Sequence, residues 1–188
     1  MNSDTHPVLG VFASDHGPGD AERASIMSQV GSFLARKGAK LVCIADDGVV
    51  PVPLITSART AGGAVTLIAA EDYIEPSAFE GVTVEHLPDH EARLARLAQL
   101  SEIYVALPGS LATARSLYLT WVRGGGGAGR KPVVFFDHRD AFKVVRGYTA
   151  DIISNSIKNH DRYLQFATST DDLWNKISWL IDQGATVL

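Results

Sequence analysis

The chain is 188 residues long, 46% hydrophobic and 20% charged, with a formal net charge of −4. Such a length fits one domain with a core of its own, and the acidic balance argues against a nucleic-acid-binding surface, which needs a basic excess. It leaves room for a small anionic ligand, because backbone N–H groups hold anions without net positive charge. No stretch reaches the ~18 apolar residues of a membrane span, and the N-terminal MNSDTHPVLG lacks the basic-then-apolar order of a signal peptide. The one cysteine, Cys43, cannot close an intrachain disulfide, which points to a reducing cytoplasm. Inside Leu41-Val42-Cys43-Ile44-Ala45 it reads as a small core residue ahead of a reactive thiol. The six histidines show no zinc-type spacing, and Pro88 breaks the helix that would put His86 and His90 on one face. Neither a metal nor a cofactor is expected.

Short apolar runs alternate with longer helical patterns along the chain, the signature of βαβ units and a parallel sheet. Residues 8–13 predict the first strand. Asp20 offers a helix cap, and Ile26, Val30, Phe33 and Leu34 give a stripe that ends at Gly38. Residues 40–45 predict a second strand, followed by a helix through Ile55 and Ala58 that stops at Gly62-Gly63. Residues 64–70 and 82–87 predict two more strands, with Asp89 capping the helix that carries Leu94, Leu97, Ala98 and Leu100. The run at 103–107 enters Pro108-Gly109-Ser110 and a helix from about Thr113 to Val122. The glycine tract Gly124-Gly125-Gly126-Gly127 reads as a loop. Residues 133–136 predict a strand, 141–158 one or two helices, and 163–167 a last short strand. Asp171 or Asp172 is the expected cap of a closing helix with Leu173, Trp174, Ile177, Trp179 and Leu180. No repeat or linker divides the chain, so residues 1–188 predict a single α/β domain. It is a three-layer Rossmann-like fold with a parallel sheet of about six or seven strands and helices on both faces.

Ligands of open parallel sheets sit beyond the carboxyl ends of the strands, where the strand order reverses. Three strand-to-helix turns qualify: the one beginning Ser14-Asp15-His16-Gly17, the one at Asp46-Asp47-Gly48, and Pro108-Gly109-Ser110-Leu111-Ala112-Thr113. The third offers helix N-terminal N–H groups with the hydroxyls of Ser110 and Thr113, and Gly109 lets the backbone approach a phosphate or carboxylate. By local chemistry alone a plain helix-capping turn comes first and an anion site second.

From Arg93 through Ser101-Glu102 into Ile103-Tyr104-Val105-Ala106-Leu107 and Pro108-Gly109-Ser110-Leu111-Ala112-Thr113, the chain resembles the core of the LONELY GUY (LOG) family, long labelled lysine decarboxylase-like. That family's pattern is an Arg-Lys pair on a helix, a Ser-Asp step into a strand, and PGGxGTxxE opening the next helix. Leu119-Thr120-Trp121, Lys131-Pro132-Val133, the strand and serine turn at Val11-Phe12-Ala13-Ser14, Gly62-Gly63-Ala64-Val65 and Tyr163-Leu164-Gln165-Phe166-Ala167 extend the resemblance over nearly the whole chain. It implies a nucleotide-binding Rossmann fold. It also implies a homodimer built on second-half helices bearing Leu117, Leu119 and Trp121, and a site that hydrolyses the N-glycosidic bond of nucleoside 5′-monophosphates.

The motif residues depart from the pattern. Arg93 fills the arginine place, but Leu94 replaces the lysine. Pro108, Gly109 and Thr113 match, Ser110 and Ala112 replace two glycines, and Ser116 falls at the catalytic glutamate. The family's second glycine run is replaced by a stretch containing Asp46 and Asp47. Glycosidic hydrolysis passes through a cationic sugar that a carboxylate stabilises, and a neutral serine does this poorly. Asp46 and Asp47 place negative charge near an anion site unless a cation such as Arg93 or Arg115 intervenes. The expectation is a binding protein that has lost phosphoribohydrolase activity. It would hold a nucleoside monophosphate, a sugar phosphate or another small anion through Ser14, Asp46, Asp47, Arg93, Pro108, Gly109, Ser110, Thr113 and Arg115. Two alternatives stay open: an enzyme in which Asp46 or Asp47 supplies the lost acid, and a homodimer with no ligand.

Overall fold

The apolar runs become strands that are all parallel. In the computed structural model, which describes residues 6–14, 20–45, 50–123, 131–153 and 163–183, the order is β1 (Val8–Phe12), α1 (Asp20–Arg36), β2 (Lys40–Ile44), α2 (Val52–Thr60), β3 (Val65–Ala69), β4 (Thr83–His86), α3 (His90–Leu100), β5 (Ile103–Ala106), α4 (Leu111–Arg123), β6 (Val133–Phe136), α5 (Lys143–Tyr148), β7 (Leu164–Ala167) and α6 (Thr170–Asp182). Single 3₁₀ turns lie at Ser77–Phe79 and His138–Asp140, and a π-helical turn at Thr149–Ile153 continues α5. The sheet order is β4-β3-β2-β1-β5-β6-β7. The chain walks outward from β1 to β4, returns beside β1 as β5, then walks outward the other way. The reversal therefore falls between β1 and β5, which pair from Leu9↔Ile103 to Phe12↔Ala106.

Alternate side chains of each strand feed two separate cores, as a period of two requires. Leu9, Val11, Leu41, Cys43, Val134 and Phe136 face one layer. Phe12, Val42, Tyr104, Ala106, Val133 and Phe135 face the other. The first layer is closed by α1, α2 and α6 through Met27, Val30 and Leu34, Leu54 and Ile55, and Leu173 and Ile177. Gly31 lets α1 and α2 meet at backbone distance: a Cβ there would stand 2.5 Å from the Leu54 carbonyl oxygen. The second layer is covered by Leu97 of α3, with Leu117 and Trp121 of α4 and Val145 of α5 only partly buried.

Several boundaries differ from expectation for local reasons. α4 begins at Leu111, two residues earlier than expected, because Ser110 caps it. The closing helix is capped by Ser169, not by Asp171 or Asp172. Ser169 Oγ accepts from Asp172 N at 3.2 Å, and Asp172 Oδ2 in return accepts from Thr168 N at 3.0 Å. The two aspartates instead complement the positive end of the helix dipole in its first turn. Asp89 caps α3 as expected, accepting from Ala92 N at 2.7 Å, and Gly38 ends α1 with φ +83°. Of the helical stretch expected at 141–158, α5 and its π turn occupy part; residues 154–158 and the glycine tract lie outside the described residues. At the far end of α3, Lys131 Nζ donates to the carbonyls of Ala98 and Ser101, a cation on the negative end of that helix. No helix of the described residues is long and apolar enough to cross a membrane.

Candidate binding site at the strand reversal

Leu107 N donates to Phe12 O at 2.9 Å, so β1 and β5 stay paired to their carboxyl ends before their turns diverge. The turn after β5 is a built helix start. Ser110 Oγ accepts from Thr113 N at 3.3 Å and lies 3.2 Å from Thr113 Oγ1, and Ala114 N donates to Ser110 O at 3.0 Å. Gly109 packs directly on Thr113, since a Cβ there would lie 3.2 Å from that side chain. Ser110 thus takes the N–H of Thr113, while those of Leu111 and Ala112 have no acceptor within the helix. The turn caps a helix, as the first of its two sequence readings expects.

Beneath this turn lies a cavity of about 450 Å³. Pro108, Gly109, Ser110, Thr113 and Arg23 border it at the carboxyl end of the sheet. From there it runs along the second sheet face, over Phe12 and Phe135, to Val133 and Leu164, the first residues of β6 and β7. Leu117 and Trp121 of α4 and Val145 of α5 form its outer wall. Trp121 presents its ring to the wall, and its indole N–H is buried with no acceptor among the described residues. The hydroxyl of Thr149, also on the wall, donates to Val145 O at 2.7 Å.

The turn after β6 flanks the same border. Asp137 is buried there; its Oδ1 accepts from Phe142 N at 2.7 Å and its Oδ2 from Arg146 Nη2. Arg146 in turn lies over the Phe166 ring, 5.2 Å from its centroid. Arg139 and Asp140 take φ of 53° and 58°, left-handed values that cost non-glycine residues energy and persist only where surroundings enforce them. Asp137 Oδ1 spans this turn to Phe142 N, and Arg139 Nη1 reaches Glu22 Oε1 of α1 at 2.6 Å.

The expected site residues are distributed unevenly. Pro108, Gly109, Ser110 and Thr113 come together at the cavity border. Ser14 is fully buried just past β1. Arg93, 8% exposed, donates to the carbonyls of Leu87 and Pro88 at 3.2 and 3.5 Å and is not among the residues lining the cavity. Arg115 is exposed on α4, and Ser116 lies on α4 away from the wall, its carbonyl accepting from Thr120 Oγ1 at 2.7 Å. Asp46 and Asp47 lie outside the described residues. Sequence reasoning missed Arg23, Phe142 and the cavity itself. Among the described residues no cluster of His, Cys, Asp and Glu has the makings of a metal site. Burial pushes the Cys43 thiol up to about 12, which leaves it unreactive at neutral pH.

No family model and no curated protein matches the chain. Solved structures do. The molybdenum cofactor carrier protein of Chlamydomonas reinhardtii superposes with a TM-score of 0.67 at 16% identity, over 95% of this chain and 99% of that one. The molybdenum cofactor binding protein of the phototrophic bacterium Rippkaea orientalis does so with a TM-score of 0.65 at 19% identity, with the same coverage. The structural-genomics target TM1055 reaches 0.70 at 18% identity, over 92% of this chain and 99% of that one. These likenesses show the Rossmann-like α/β fold that the sequence patterns imply.

Proposed function

We propose that this protein binds and carries a small organic anion and does not hydrolyse N-glycosidic bonds. The charged group of the ligand sits at the turn Pro108–Thr113 beside Arg23, and its body enters the cavity below. The observation that carries this reading is the place of the cavity. It meets a capped helix N-terminus at the reversal between β1 and β5, where the fold directs ligands. Two neighbours with this fold are named as a carrier and a binding protein of a cofactor. That supports a role in holding a ligand without transforming it.

The case against hydrolysis is chemical. Among the described residues, those lining the cavity include no Asp or Glu, so none of them matches the charge of a cationic sugar. Ser116, at the motif's glutamate place, is both neutral and off the wall. Arg93 Nη1 donates to two backbone carbonyls in the turn before α3.

The test pairs an assay with a binding screen. Chromatography should detect no base released from AMP or from cytokinin riboside monophosphates. A thermal-shift series with nucleoside monophosphates, sugar phosphates and simple organic acids should find an anion that raises the melting point, as any ligand of the folded state must. Arg23→Gln should weaken it. Substantial release of base overturns the reading, and would place the acid among residues such as Asp46 or Asp47.

A second observation favours a homodimer. Leu111 is 90% and Tyr118 62% exposed on α4, and Val144 and Tyr148 are exposed on α5. The residues first expected at the interface, Leu117, Leu119 and Trp121, are half-buried, and Leu117 and Trp121 pack on the second core. The outward residues are therefore the ones a partner would cover. Light scattering giving a 20.1 kDa particle at micromolar concentration would remove this reading.

A further inference from the structure

We infer that residues 141–149 form a hinged wall of the cavity, closed onto the sheet by the buried Asp137 carboxylate and opening about the left-handed pair Arg139-Asp140. The purpose of such a movement, admitting a ligand, rests on the function proposed above; the movement itself does not.

The wall is lightly built. Phe142, Val145, Tyr148 and Thr149 all line the cavity, so where this stretch rests helps to set the cavity's size. No residue of α5 is buried, and Val144 and Tyr148 are exposed. On the same face α3 buries Arg93, Leu94 and Leu97. A helix of six residues does not hold its shape by its own hydrogen bonds. Its apolar anchors are the half-buried Val145 and the ring of Phe142, which meets that of Phe135 edge-on at 5.0 Å. Segments with so few buried apolar side chains open at small free-energy cost, and elements that admit ligands are drawn from them.

A polar latch holds this wall. The Asp137 side chain, at the end of β6, is fully buried. Among the described residues the wall supplies a partner to each of its oxygens: Oδ1 accepts from Phe142 N at 2.7 Å and Oδ2 from Arg146 Nη2. A buried carboxylate is stable only with such partners. When the wall leaves, both go with it, and water must replace them. The latch therefore favours two states, one closed and one with Asp137 wetted, over positions between them.

The backbone is irregular at both ends of the wall. Arg139 and Asp140, with φ of 53° and 58°, stand between the latch and the wall, and a π-helical turn at Thr149–Ile153 stands at the far end. Left-handed non-glycine residues and π turns are both uncommon and gather at functional sites. Rotation of Arg139 or Asp140 into the right-handed region relieves its crowded geometry. The pivot thus favours opening while Asp137 favours closure.

Amide hydrogen exchange, followed by NMR on the full chain, tests this. The amides of Phe142, Arg146 and Thr149 are hydrogen-bonded in the closed wall. They should share one protection factor, at least about tenfold below that of Leu97 in α3 and Val134 in β6. Their protection should also fall less steeply with urea, because opening a wall exposes far less surface than unfolding. Asp137 N, which donates to Ala167 O at 2.7 Å, should stay with the sheet and so place the pivot after it. Arg146→Met keeps a side chain that packs on Phe166 and removes the partner of Oδ2. It should lower protection of the three wall amides by a further factor of about ten, the weight of one charge-assisted hydrogen bond. Arg146→Gln serves if that variant does not fold. Wall amides as protected as Leu97, or as steep in urea, would mean that α5 leaves only when the domain unfolds, and would overturn the inference. So would wall amides that both variants leave unchanged, or an Asp137 amide that exchanges with the wall. No ligand enters the measurement, so a thermal-shift series without a hit removes the proposed function and leaves the movement standing.

Discussion

The two faces of the sheet are built from the same kinds of residues and come out differently. On the face of α1, α2 and α6, helices approach until backbones touch, as at Gly31 against Leu54, and side chains such as Leu34, Leu54 and Leu67 are wholly buried. On the face of α3, α4 and α5, Phe12, Phe135 and Leu117 border a cleft of about 450 Å³ that opens to solvent. Protein interiors are otherwise packed as densely as organic crystals, so an unfilled chamber forgoes dispersion contacts and stability. The contrast assigns stability to the first face and ligand capacity to the second.

Truncating a side chain on each face gives the largest test of that assignment. Leu54→Ala should cost about 2–5 kcal/mol, the range for a wholly buried leucine that leaves a cavity. Leu117→Ala should cost only about 1 kcal/mol, the transfer cost of a half-buried side chain that already borders open space. Equal losses in urea unfolding would mean that the second face is as tightly packed as the first. Next comes Gly31→Ala. Alanine is the better helix former, yet its Cβ would meet a backbone oxygen at 2.5 Å that cannot rotate away. Overpacking should win, with a loss of about 1–3 kcal/mol; a stabilised variant would show that α1 and α2 separate easily.

Lys131→Met probes the second face where it is well held. Removing the cation from the carbonyls of Ala98 and Ser101 should cost about 1–2 kcal/mol, the upper range for a charge at a helix C-terminus. The smallest effect concerns the outer edge of the same face. The hydrogen bonds and charge of Arg96 hold the Glu85 carboxyl below its ordinary range. Because the folded-state value is lowered, the contribution is present above the ordinary carboxylate range and is lost as pH falls through the lowered value. Wild type and Glu85→Gln should therefore differ slightly in melting point at neutral pH and converge in acid. A gap that persists well below the carboxylate range would mean that the side chain acts by packing rather than charge.

The fold was legible because its signals are local. The runs at 103–107 and 133–136 are buried on both sides and read as unbroken apolar stretches, and Asp89 and Gly38 mark helix ends by chemistry that depends on few neighbours. The Pro108 turn was legible in the same way. The cavity was not. Phe12, Phe135, Phe142 and Trp121 look in sequence like any core residues; whether they fill space or surround it depends on where α4 and α5 rest. Arg23 carries no signal of its own in the sequence, and the fold brings it to the cavity that Ser110 also borders. The left-handed pair Arg139-Asp140 gave no warning either, because no glycine marks the turn.

Trp121 carries an optical consequence. The chain has three tryptophans. Trp179 stands half out of the surface on α6, whereas Trp121 keeps its indole N–H buried and without an acceptor, its ring against the chamber. An indole excited in such surroundings meets few dipoles able to reorient around it, so its light leaves at the short-wavelength end of the tryptophan range. A guest entering the chamber changes what that ring touches, and the emission colour changes with it. The proposed site thus has its own dye beside it, and filling by a ligand can be followed in real time without a label.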